Sequence, residues 1–204
     1  MCKFNNQKNI YWVRHAEAQS NISEINYKII DPGLTPLGYI QCEILKKYLE
    51  SNKIIGQIDL VVVSPLERTL ETCNRIIDHS ISIPIISLDE IRERIDHPCH
   101  KRDLISKKKS QYKFINYNQI KNDYDFLYDK FNGNEPESNV KLRCKWFINW
   151  LKNRKEKNIL VITHGNFLFP MFADILLNVA NINFFSNCEI RKCNINFIDY
   201  KKEL

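Results

Sequence analysis

Three short apolar runs, each ending abruptly in a cation or an imidazole, constrain this chain more than any other feature. Tyr11 to Val13 runs into Arg14-His15, Leu60 to Val63 into Ser64-Pro65-Leu66-Glu67-Arg68, and Ile159 to Ile162 through Thr163 into His164-Gly165-Asn166. Runs of this length and β-branched character read as short buried strands. Side by side in a parallel sheet, their carboxyl ends fall along one edge, where open α/β sheets place ligand crevices. Arg14, His15, Arg68 and His164 would then converge on one anion.

The residue types suit that task. An imidazole nitrogen is a nucleophile that titrates near neutrality, and a guanidinium presents a planar fork matched to phosphate oxygens. Together they suggest phosphoryl transfer onto a histidine. Ser64 is placed to cap the helix that follows, with Pro65 at its first position and Glu67 completing a box-like start, which puts Arg68 in the first turn. There it strengthens an anion site while its own charge opposes the helix dipole. Gly165 lets backbone approach a ligand closely. Taken singly, each of these pieces is an ordinary strand-end or helix-face residue; their repetition at three strand ends is what points to a site.

Between these runs the apolar spacing alternates between strand and helix. Leu37, Ile40, Ile44, Leu45, Tyr48 and Leu49 lie at helical spacing, as do Leu66, Leu70, Cys73, Ile76 and Ile77; further stripes are Val140, Cys144, Phe147, Ile148 and Leu151, and Phe167, Met171, Phe172, Ile175 and Leu176. All four are expected to face the core. Ile81 to Leu88 is a further strand, and the alternation from Glu189 to Tyr200 is an antiparallel edge strand. The expected fold is a three-layer α/β/α sandwich with a mostly parallel, mixed sheet. A polar and aromatic stretch from about residue 98 to 139 interrupts it, and its length suggests a cap or lid. Within it Lys101, Arg102 and Lys107-Lys108-Lys109 offer charge to a polyanionic substrate, or simply face solvent.

At 204 residues and 44% hydrophobic, one domain spanning 1–204 is expected. No apolar run approaches the ~20 residues of a membrane span, and the first residues lack a signal-peptide core, so a cytoplasmic protein with no membrane partner is expected. Seven cysteines at irregular spacing read as reduced thiols, and Asn21-Ile22-Ser23 is then an unmodified acceptor sequence. A net charge of +6 permits nucleic-acid binding, but the chain is rich in Lys, Asn and Ile, and a phosphoryl pocket needs local positive charge in any case. A phosphorylated small-molecule substrate is the expected partner in preference to nucleic acid.

At this point the chain resembles the histidine phosphatase superfamily, also called the phosphoglycerate mutase-like family. The resemblance rests on Arg14-His15-Ala16-Glu17-Ala18-Gln19-Ser20-Asn21, Leu34-Thr35-Pro36-Leu37-Gly38, Val63 to Leu70, Ile91-Arg92-Glu93 and Thr163-His164-Gly165, which occur in the family's order. It implies that His15 is the nucleophile, that Arg14, Arg68 and His164 bind the phosphoryl group, and that Asn21 and Thr35 line the substrate side. Glu93 would be the proton donor, with Glu90 as the alternative in a segment that also holds Asp89 and Asp96. Four cationic or imidazole side chains at strand ends, with no convincing cluster of metal-binding carboxylates, predict chemistry without a metal or other cofactor. The stretch His97-Pro98-Cys99-His100-Lys101-Arg102 resembles one branch of the family, with His100 standing where that branch has an aspartate. Ala16 replaces the family's usual glycine, so either no positive φ is needed there or alanine is accepted at a small cost. A phosphatase is expected in preference to a mutase or a non-catalytic phospho-ligand binder, because the insertion does not follow the glycolytic mutase pattern.

Overall fold

The computed structural model of the protein describes residues 7–78, 80, 82–176 and 183–197. Strands β1 (Gln7–Arg14), β2 (Leu60–Val63), β3 (Ile85–Ser87), β4 (Ile115–Asn116), β5 (Asn158–Thr163) and β6 (Ile190–Asn196) form one sheet in the order β4-β3-β2-β5-β1-β6. Every pairing is parallel except that of β6 with β1, which closes one edge antiparallel, as the final alternation predicts. Residues 198–200 of that predicted strand, and Ile81 of the predicted β3, lie outside the described residues.

The period-2 pleat sorts the apolar runs onto two faces. Tyr11, Val13, Val61, Val63, Leu160 and Ile162 join a core with residues of helices α1 (Pro36–Ser51), α2 (Glu67–Ile76) and α3 (Ile105–Gln111). Ile10, Trp12, Leu60, Val62, Ile159 and Val161 face α5 (Glu137–Lys152) and α6 (Gly165–Pro170). That is the expected three-layer sandwich. Pro170 lies inside α6, and from Met171 to Leu176 the chain continues as a π-helix, a wider turn that accommodates the ring and the missing N–H.

The stripes on α2 and α5 are buried as expected, but that on α1 is half wrong. Its core row is Gly38, Cys42, Leu45 and Leu49, while Leu37, Ile40, Ile44 and Tyr48 are exposed, Ile44 by 64%. Two apolar rows run side by side along this helix, and spacing alone does not choose between them.

The segment 98–139 carries structure of its own: α3, strand β4 at the sheet edge, and α4 (Phe126–Phe131). Ile105, Tyr112, Ile115 and Tyr117 extend the α1/α2-side core, whereas Phe114, Tyr124 and Phe126 are exposed. Buried ion pairs fix its course. Arg92 donates to both carboxylate oxygens of Asp125 at 2.6 and 2.7 Å, and Arg102 donates to Asp89 at 3.1 Å and to the carbonyls of Asn122, Asp123 and Tyr124. Lys108 pairs with Asp31 at 2.8 Å and with Glu67. Removing one partner of such a pair costs about 3–5 kcal/mol, because the other charge is left buried alone.

Candidate active site

The strand register builds the site. Arg14 lies opposite Thr163, and Val63 opposite Ile162, so His15, Ser64 and His164 each stand one residue past an aligned strand end. His15 N–H donates to Thr163 O at 2.9 Å and Ser64 N–H to Ile162 O at 3.1 Å, which carries the alignment into the loops.

His15 is buried with Nδ1 2.7 Å from its neighbour's carbonyl, Ala16 O. A carbonyl only accepts, so the ring proton sits on Nδ1 and the lone pair on Nε2. Arg68 Nε donates to that Nε2 at 3.3 Å, in agreement with the tautomer. Burial, then the charges of Arg68 and Arg14, push the His15 pKa well below its ordinary 6.5, so the ring is neutral and nucleophilic at neutral pH. The His164 ring lies 5.1 Å away, with Nε2 2.8 Å from Ser64 Oγ. Ser64 Oγ also accepts from Leu66 N–H at 3.4 Å and keeps a second lone pair and its own hydrogen, so it can meet either tautomer of His164. The His164 Nδ1 is buried without a protein partner. Burial and then Arg68 hold His164 neutral as well.

Ser64 therefore serves His164 and is not the helix cap expected of it. The helix α2 starts at Glu67 with Leu66 as its cap residue, and Arg68 is its second residue. Arg68 is buried and donates through Nη1 to Cys99 O at 3.2 Å. Arg14 donates through Nη1 to Phe185 O at 2.7 Å, and its Nε is buried without a protein partner. Burial lowers both guanidinium pKa values and Glu93 opposes the shift, yet a guanidinium keeps its charge in proteins.

Arg14, His15 and Arg68 open into a cavity of about 210 Å³ whose other lining residues are Ser20, Asn21, Tyr27, Glu93, Asp96, His97, His100, Gly165, Asn166 and Phe184; His164 is not on its wall but fully buried behind His15. Of the four acidic candidates, Glu93 and Asp96 are on its wall. Glu93 Oε1 accepts from the Arg94 and Asn166 N–H groups, each at 3.0 Å. Glu90 is off the wall, with its carbonyl taken by Arg143 at 2.7 Å and its carboxyl pushed up by burial. Asp89 is spent on Arg92 and Arg102.

Asn21 is on the wall, its Oδ1 accepting from Ala18 N–H at 2.9 Å. Thr35 is not, contrary to expectation. It caps α1, accepting from Gly38 N–H at 2.9 Å and donating to Glu17 Oε1 at 2.7 Å. Its neighbour Gly38 explains the rest of that sequence: a Cβ there would stand 2.2 Å from Glu17 O, so only glycine lets α1 close onto the loop after His15. Ala16 has no positive φ and donates to Thr72 Oγ1 at 3.1 Å, so the family's glycine is not required.

Sequence reasoning missed Tyr27, His97 and Phe184 as wall residues. The Tyr27 and His97 rings meet at 4.5 Å, tilted by 30°, and no local pattern marks either. Among the described residues no group of three His, Cys, Asp or Glu side chains is placed to hold a metal ion, and no helix is long and apolar enough to cross a membrane. The six described cysteines are free thiols.

Residues 10–204 match the family model of the histidine phosphatase superfamily (branch 1). The chain belongs to that superfamily. It is 31% identical to phosphoglycerate mutase-like protein 1 of Arabidopsis thaliana, across 90% of this chain and 79% of that one. Its fold resembles Mycobacterial hydrolase 1 with a TM-score of 0.62 at 16% identity, covering 92% of each chain. The phosphoserine phosphatase of Entamoeba histolytica, solved with 3-phosphoglyceric acid, superposes with a TM-score of 0.57 at 18% identity, over 91% of this chain and 89% of that one.

Proposed function

We propose that this chain is a phosphatase that hydrolyses phosphomonoesters through a phosphohistidine on His15 Nε2. In the first step Nε2 attacks phosphorus, the P–O bond to the leaving group breaks, and Glu93 gives the departing oxygen a proton. Arg14 and Arg68 neutralise the transferring phosphoryl oxygens, the main service a protein renders such a reaction, and His164, in the tautomer with its proton on the unpartnered Nδ1, adds a donor. The hydrogen bond from Nδ1 to Ala16 O spreads the charge that His15 gains. Water then attacks phosphorus and releases phosphate.

The observation that carries hydrolysis over mutase chemistry is the charge of the wall. Among the described residues lining the cavity, Arg14 and Arg68 are the fixed cations, while Glu93 and Asp96 face the rest of it. A mutase working through a bisphosphate needs further cations for the second phosphoryl group. Of the basic residues nearby, Arg102 and Lys108 are held in pairs with Asp89 and Asp31, Lys101 and Lys107 pair at the surface with Asp129 and Asp103, and Arg94 is matched by the wall's own Asp96. Purified protein should hydrolyse p-nitrophenyl phosphate in EDTA, without 2,3-bisphosphoglycerate. Turnover that required the bisphosphate would make it a mutase, and turnover that required a divalent metal would overturn the mechanism.

A further inference from the structure

His100 is buried, lines the cavity, and ends a short turn, Pro98–His100, that is held from behind. Arg92 Nη2 donates to His100 O and Arg68 Nη1 to Cys99 O, and Arg92 is itself clamped by both oxygens of Asp125. Asp125 Oδ2 also accepts from Arg102 N–H at 2.8 Å, so the Arg92–Asp125 pair holds the backbone on both sides of Lys101. A turn so heavily braced fixes the imidazole it carries.

The ring is oriented as well as placed. Its Nδ1 lies 2.8 Å from Asp96 Oδ1, a contact bent too far for a hydrogen bond, so the carboxylate acts on the ring by its charge. That charge favours the tautomer with the proton on Nδ1 and the lone pair on Nε2. The groups facing His100 are Asp96, Arg68, Glu93 and His97, and a charge on it would be felt at His15 and His164. Burial first, then Arg68, lowers its pKa against the pull of Asp96 and Glu93, so the ring is neutral at neutral pH. A neutral, carboxylate-oriented imidazole in a nucleophile's cavity has the form of a general base.

We propose that His100, oriented by Asp96, is the base that activates the water hydrolysing the phosphohistidine. This rests on the phosphatase reading above and deepens it. The water oxygen bonds to phosphorus while its proton moves to His100 Nε2. The P–N bond breaks, and its electron pair returns to His15 Nε2. Inorganic phosphate leaves, and His100 passes its proton through solvent back to Glu93, which the first half-reaction left ionised. Glu93 then belongs to the first half-reaction and His100 to the second.

Rapid mixing with p-nitrophenyl phosphate reads phosphoenzyme formation as the nitrophenolate burst, and a chase of the labelled phosphoenzyme reads its decay. In His100→Gln, formation should be unchanged and decay slower by about 10²-fold. Accordingly kcat should fall while kcat/KM holds, a split that a general loosening of the site would not produce. Asp96→Asn should slow the same decay by about tenfold through loss of ring orientation. Should His100→Gln lower the melting temperature, Asp96→Asn, which keeps the imidazole, decides by the same two rates. Unchanged decay in these variants, or formation and decay slowed together, overturns the role of His100. Wild-type protein that neither labels nor turns over overturns the phosphatase reading itself.

Discussion

Arg14 and His15 reach the floor of the cavity from strand ends whose register is set by a sheet buried on both faces, Arg68 reaches it from the first turn of the helix after β2, and His164 lies just beneath with its ring 5.1 Å from that of His15. Tyr27, Asp96, His97, His100 and Phe184 reach its outer wall on 3-10 turns and irregular backbone. The floor is positioned by main-chain hydrogen bonds of the ladder and its continuation, such as His15 N–H to Thr163 O. The wall is positioned by side chains: Asp125 on Arg92, Arg92 on His100 O, Asp96 on the His100 ring. On the proposed mechanism the floor holds what phosphoryl transfer to His15 requires, and the wall holds what would select the leaving group and discharge the phosphohistidine.

Three measurements sharpen or break that division. The largest effect belongs to the nucleophile: His15→Ala should abolish the acid-labile phosphoenzyme and lower turnover by at least about 10³-fold. Labelling that survived in this variant would move the nucleophile off the floor. Next is Arg68→Ala, which removes a donor to both His15 Nε2 and the phosphoryl group. It should lower kcat/KM by about 10²- to 10³-fold for alkyl and aryl esters alike. A loss confined to one class of ester would mean that Arg68 recognises the leaving group and functions as wall.

The smallest effect is on acid stability. His15, His164 and His100 have folded-state pKa values depressed below 6.5, so above that pH both folded and unfolded chains hold them neutral and their contribution is constant. As pH falls below about 6.5 the unfolded chain takes up protons first, and stability drops by up to about 1.4 kcal/mol per pH unit for each histidine. Urea midpoints measured between pH 7 and 5 should show this slope. It should flatten more in a His15→Gln/His164→Gln double variant than in His100→Gln, since the floor contributes two such rings and the wall one. Equal flattening would erase the distinction.

The difference between floor and wall is also a difference in legibility. Arg14, His15, Arg68 and His164 are readable because a polar residue directly after a fully apolar strand, or in the first turn of the helix that follows it, has one place to go. Asn21 and Thr35 sit in equally recognisable stretches, yet only Asn21 faces the cavity, because the Thr35 hydroxyl is consumed in capping α1. The basic residues between Lys101 and Lys109 read equally well as substrate attraction or solvated charge. Lys108 became neither, because Asp31 and Glu67 meet it in the interior. On α1, two parallel apolar rows left the buried face undecided.

By itself the sequence determined the mostly parallel sheet with its antiparallel edge and the polar residues that stand at its carboxyl ends. Each follows from periodicities of two or about 3.6 residues, and the nearest polar residue completes the pattern. Only the tertiary structure decided that Glu93 rather than Glu90 faces inward, with Arg143 drawing the Glu90 carbonyl away and Asn166 N–H drawing Glu93 in. It alone brought His100 beside Asp96 and Tyr27 against His97. Those choices depend on buried ion pairs and ring contacts between segments distant in the chain, whose energies are set by burial and geometry that no local pattern encodes.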